Sequence, residues 1–132
     1  MPIISAEKMV EFDTFDSFTQ GYIEAALWCG LSDDDAQAYF NGDAPFDKIA
    51  PDTLASMIDD CRDFQAMEGV PTMLMECGDH KAGVDFWLTR NGHGAGFWDG
   101  DWPEHGDKLT ELSKPYGEVC LYVGDDGLIY ST

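Results

Sequence analysis

Cations are scarce in this chain. Its 132 residues carry seven Lys and Arg against 26 Asp and Glu, a formal net charge of −19, and the sequence pI is near 4.1. Such an excess repels phosphate backbones, anionic lipid and polyanionic substrates, so direct nucleic-acid binding is excluded and a basic partner is favoured. Long apolar runs are also missing; none approaches the ~20 residues of a membrane span, and no membrane role is expected. The four cysteines (Cys29, Cys61, Cys77, Cys120) form no C-x-x-C pair. Met1-Pro-Ile-Ile-Ser-Ala-Glu7 lacks the basic and apolar regions of a secretory leader. With neither a leader nor a disulfide framework, a reduced, cytosolic protein is expected. There is no internal repeat and no low-complexity linker.

What is present is a folding composition. Apolar residues make up 44% and aromatics 13%, unlike acidic disordered tails, which lack aromatics. The length suits one compact domain over 1–132. Residues 1–68 carry −12 and residues 69–132 carry −7, so the acidity belongs to the whole body.

The N-terminal half reads as helical. Phe15, Phe18, Tyr22, Ala25 or Ala26, and Cys29 recur at helical spacing over 13–30, with Asp13 or Thr14 as cap and Gly30 as stop. Ser32-Asp33-Asp34-Asp35 gives a cap and acidic first turn to a short helix ending at Phe40. Residues 41–50 connect it to a helix over 51–67, opened by Pro51 and striped by Leu54, Ile58, Cys61 and Phe64. Residues 71–77 fit a helical turn or a short strand. The helical part runs from about 13 to 77.

From about 83 to 131 the pattern changes to that of a sheet. Val84, Phe86 and Leu88 alternate with Asp85, Trp87 and Thr89, which predicts a half-buried strand. Asn91-Gly92 opens a turn, and Gly96-Phe97-Trp98-Asp99 predicts the returning strand. Gly106–Ser113 predicts a helix stopped at Lys114-Pro115. Val119–Val123 and Leu128-Ile129-Tyr130 predict a hairpin about the turn Asp125-Asp126-Gly127. The expected fold is α+β, with N-terminal helices packed on a small antiparallel sheet. Val84, Phe86 and Leu88 are expected to face Phe18, Tyr22, Ile58 and Phe64.

The stretch from Gly83 to Asp99, with its core Asp85-Phe86-Trp87-Leu88-Thr89-Arg90-Asn91-Gly92-His93-Gly94-Ala95-Gly96-Phe97-Trp98-Asp99, resembles a family of small accessory proteins of bacteriophages and prophages. Tyr22-Ile23-Glu24-Ala25-Ala26-Leu27-Trp28, Asp60-Cys61 and Gly124-Asp125-Asp126-Gly127-Leu128-Ile129-Tyr130 extend the resemblance over most of the chain. It implies a phage-type gene product acting in the cytoplasm of a bacterial host. It implies no catalytic residue and no cofactor.

Candidate sites divide into two. The first is acidic. Carboxylates three or four apart on a helix have Cβ atoms about 5–6 Å apart, and phosphates rise about 3.4 Å along one DNA strand. Helical acids can therefore imitate phosphates before a groove of Lys and Arg. The columns Asp59/Asp63, Asp52/Asp59 and Asp13/Asp16/Glu24, with Asp60 and the cluster Asp33, Asp34 and Asp35, supply that surface. The expected role is to bind and inhibit a host nucleic-acid-handling or defence protein, such as a CRISPR or restriction component. The bland alternative is a solvated surface.

The second site is the glycine-rich hairpin 90–99, where Arg90, Asn91, His93 and Asp99 surround Gly92, Gly94 and Gly96 and offer a small-ligand or enzymatic alternative. Its bland reading is a hairpin whose glycines permit positive φ. A virion or assembly role is a further alternative. His80, His93 and His105 lack metal-ligand spacing, Asp79-His80 and Glu104-His105 read as solvated loops, and Asp125-Asp126-Gly127 lacks the other ligands of a calcium loop. No metal site is expected, and no enzyme. Cys61 and Cys120 read as buried, not nucleophilic.

Overall fold

The computed structural model describes residues 11–40, 46–92 and 95–131. After a helical turn at 11–13, the Asp16 carboxylate accepts from Thr19 N at 2.8 Å and starts α1, Ser17–Cys29. The cap is thus Asp16, three residues later than the first candidate, because the chain turns at 14–15 before the helix opens. Gly30 ends α1 as expected. Ser32 Oγ accepts from Asp35 N at 3.1 Å at the start of α2, Asp33–Phe40. A 3₁₀ turn at Phe46–Lys48 leads to α3, Pro51–Gln65, with Pro51 in its first turn. Residues 71–77 resolve towards helix: α4 spans Val70–Leu74.

The expected strand at 84–88 is a helix. α5 runs Asp79–Arg90, and Gly96–Asp99 is a turn, so no hairpin spans 84–99. Asp79-His80, expected as loop, is its first turn. The helical part therefore continues well beyond residue 77. α5 buries Ala82, Gly83, Asp85, Phe86, Trp87 and Arg90, which face more than one direction around the helix. With neighbours on several sides, polarity no longer segregates at the helical period, and every second residue of 84–88 mimics a strand.

The centre of the molecule is helix on helix, with α1 packed chiefly on α5. Their backbones touch: a Cβ on Gly21 would strike the His80 carbonyl oxygen, and one on Gly83 would strike that of Phe18. Around this crossing the rings interlock. Phe64 stacks on Phe86 with centroids 4.3 Å apart, and Phe18 and Tyr22 flank Phe86 at 5.8 and 5.4 Å. Phe86 therefore meets Phe18, Tyr22 and Phe64, three of the four residues expected of it, from a helix rather than a strand. Val84, Leu88 and Ile58 lie at the margin of this core, partly buried.

The second half keeps its antiparallel sheet, so the class is α+β. α6, Gly106–Ser113, is where the sequence places it. The sheet comprises β1, Leu121–Val123, and β2, Ile129–Ser131, with Tyr122 opposite Tyr130. Leu121 and Ile129 are buried. The hairpin is fastened to the start of α3, where Ala50 N donates to Ile129 O at 2.9 Å and Ser131 N to Thr53 Oγ1 at 3.1 Å. Cys61 is buried, but Cys120, preceding the short β1, is exposed. No helix among the described residues is long and apolar enough to cross a membrane.

Candidate functional site

The α3 helix turns one face to the core through Leu54, Met57, Cys61 and Phe64. Its outer side carries exposed Asp52, Asp59 and Asp63, with Asp60 at the edge. A shallow depression of about 460 Å³ is lined by Asp59, Asp60, Arg62, Asp63 and Ala66. A second, of about 440 Å³, is lined by Thr14, Phe15, Asp16, Thr19, Ile58, Arg62, Gln65 and Ala66. The two share Arg62 and Ala66. Asp16 of the α1 cap thereby joins the α3 acids on one continuous surface.

The acids of this surface are not equivalent. Asp60 accepts from Arg90 Nη1 at 2.8 Å, and Asp63 accepts from the Tyr116 hydroxyl at 2.6 Å. Asp16 holds Thr19 N and also accepts from Gln65 Nε2 at 3.3 Å. Burial acts to raise the Asp16 pKa, but the Thr19 and Gln65 hydrogen bonds and nearby Arg62 outweigh it and hold the carboxyl below its ordinary value. Asp52 and Asp59 have no hydrogen-bond or ion-pair partner among the described residues, and nor do Asp13 and Asp34. Asp35 is half-buried on α2. Glu24 belongs elsewhere: it lies 2.6 Å from His80 Nε2, across the α1–α5 contact. The side chain of Asp33 lies outside the described residues.

The residues of the second candidate site are drawn into the fold. Arg90 is buried. Its Nε donates to Gly117 O at 2.9 Å, Nη1 to Tyr22 Oη at 2.9 Å as well as to Asp60, and Nη2 to Tyr116 O at 2.8 Å. The guanidinium also lies 5.7 Å from the Phe86 ring centroid and 5.6 Å from that of Tyr116. Asn91 Nδ2 donates to Trp87 O at 2.9 Å while its Oδ1 accepts from Val119 N at 2.8 Å. Asp99 accepts from Gly96 N at 3.3 Å and from Asp101 N at 3.1 Å, closing its own turn. His93 lies outside the described residues. Arg90, Asn91 and Asp99 thus point to three separate structural tasks.

Two charged constellations were not legible in the sequence. Asp85, on α5, is buried; its Oδ2 accepts from Trp102 Nε1 at 2.7 Å and lies 3.2 Å from Lys81 Nζ. Burial raises the Asp85 pKa against these two contacts. Glu76, just past α4, reaches the N-terminus of α6. Its Oε2 accepts from Glu104 N at 3.0 Å and its Oε1 from His105 N at 3.1 Å. His105 Nδ1 lies 3.1 Å from that Oε1. Burial opposes it, yet these donors lower the Glu76 pKa. No local motif joins Glu76 to a pair 28 residues away, so only the fold brings them together. The segment Glu104-His105 is thereby fastened rather than a solvated loop.

Compared with known proteins, the chain matches no protein-family model, no curated protein and no solved structure.

Proposed function

We propose that this protein is a phage-type inhibitor that binds a host nucleic-acid-handling or defence protein through its acidic surface, in the manner of a DNA mimic. It acts by binding rather than by catalysis. The observation that carries the reading is the uncompensated charge: −19 overall, with Asp16, Asp59, Asp60 and Asp63 gathered around two adjoining depressions. Arg90 is paired with Asp60 and Lys81 with Asp85 and Asp101, so neither offsets Asp52 or Asp59. Like charges crowded on a fold destabilise it, and a basic partner relieves that cost on docking. Such a partner is drawn in by long-range attraction. Exposed Trp28, 86% accessible, and Tyr39 offer the aromatic anchors that strengthen protein interfaces. The phage origin rests on the sequence resemblance, and it gives the partner its setting, the bacterial cytoplasm.

The test is capture from bacterial lysate on immobilised protein, washed in steps from about 0.05 to about 0.5 M NaCl, a range over which exposed charges become screened. A nucleic-acid-handling protein should be retained at low salt and released as salt rises. Asp52→Asn/Asp59→Asn removes two exposed acids that make no hydrogen bond or ion pair among the described residues and should weaken capture and flatten the salt response. Capture indifferent to both salt and these substitutions would reject the reading.

A further inference from the structure

Glu76, Glu104 and His105 lie outside the acidic docking face, and their donor set is mixed: two carboxylates and an imidazole. Their ligand atoms all lie within 4.8 Å of one another. Two of them already stand at coordination distance, since His105 Nδ1 and Glu76 Oε1 are 3.1 Å apart. Two ligands on a tetrahedral ion, each about 2.0–2.1 Å from it, are separated by about 3.3 Å. The pair thus forms one edge of such a sphere.

Glu76 is also held in place. Backbone N–H groups of Glu104 and His105 grip its two oxygens, the kind of outer-shell support that fixes ligating carboxylates. Its side chain is 13% exposed and that of His105 32%, so an ion has access from solvent. Glu104 is exposed, and with its carboxylate within 4.8 Å of the other two ligand atoms a side-chain rotation can bring it in as a third ligand at tetrahedral spacing. Water would fill the fourth position.

We propose that Glu76, Glu104 and His105 form a binding site for a divalent first-row transition metal, with zinc the best match to nitrogen and carboxylate donors. The ion would replace the hydrogen bond between His105 Nδ1 and Glu76 Oε1, with the neutral imidazole carrying its one proton on Nε2. Bound there, it would join the turn after α4 to the start of α6 and stabilise the folded chain by mass action.

The experiment is calorimetric titration of the chelator-stripped, full-length protein with ZnCl2 at neutral pH. The variants are Glu104→Gln and His105→Gln. Each removes a ligand while keeping the backbone N–H that Glu76 accepts, and circular dichroism checks that both fold. One zinc per wild-type chain is expected, with at least about a tenfold loss of affinity in each variant. Calcium and magnesium should not displace it. No zinc binding by wild type, undiminished binding in either variant, or equal competition by calcium would overturn the proposal; the last would mark general attraction to an acidic surface. Neither result bears on capture of a basic partner.

Discussion

Removing the Arg90 guanidinium would leave Asp60, Tyr22 and two backbone carbonyls without their donor. Breaking one side of a buried ion pair costs about 3–5 kcal/mol. Asp60 is 36% exposed, so water can partly replace the lost partner and the lower end applies. Arg90→Ala is expected to destabilise the protein by about 3 kcal/mol in urea unfolding. Arg90→Lys should recover only part, since an ammonium cannot reproduce a fork that serves four acceptors. A near-wild-type urea midpoint for Arg90→Ala would contradict this structural role. In the sequence, Arg90 beside Asn91-Gly92 has the look of a ligand residue. Its acceptors come from residues 22, 60, 116 and 117, and no short stretch could reveal that.

At the scale of elements, legibility followed locality. α2, α3 and α6 were readable because their signals lie within them: Ser32 before three aspartates, Pro51 in the first turn, Lys114-Pro115 after the last. The 121–131 hairpin was readable from its central Asp-Gly turn. α5 was not, because two of its polar residues, Asp85 and Arg90, are buried and find partners on other segments. The acidic columns on α3 were also readable, since one helix sets their spacing. Their union with Asp16 needed the packing of α1 against α3. The α1–α5 crossing gives a sharp test. In an exposed helix Gly→Ala gains about 1 kcal/mol, but at Gly83 the new methyl would meet the Phe18 backbone carbonyl, which cannot swing aside. Gly83→Ala should therefore lower the melting temperature despite its better helix propensity. A higher melting temperature would mean that the two helices can part at little cost.

For the whole molecule, charge sets how stability responds to solution conditions. With a net charge of −19, screening should help: the melting temperature should rise between about 0.05 and about 0.5 M NaCl. Acid acts in two directions. The Asp85 pKa is raised above its ordinary 3.8, so the folded state takes up its proton first, and stability grows as pH falls through that folded value. Neutralisation of surface acids adds to this gain. The Asp16 and Glu76 pKa values are lowered from 3.8 and 4.5. Their contributions are complete above those values and vanish as pH falls through the folded ones. The melting temperature should therefore climb as pH falls from 7 towards the ordinary carboxylate range and drop once Asp16 and Glu76 are protonated below it. A monotonic fall from pH 7 downward would show that neither Asp85 burial nor self-repulsion is a significant term.

The crossing of α1 and α5 also has a consequence for synthesis. α1 ends at Cys29, while the helix that packs Phe86 against Phe18 and Tyr22 is complete only at Arg90. At about 5–20 residues per second, a ribosome needs roughly 3–12 s to make the intervening chain. Throughout that interval the apolar side of α1 has been made and its cover has not. Helix formation and collapse take far less time than this. The period in which the nascent chain is open to chaperones, proteases or wrong partners is therefore set by translation speed, not by the folding reaction itself.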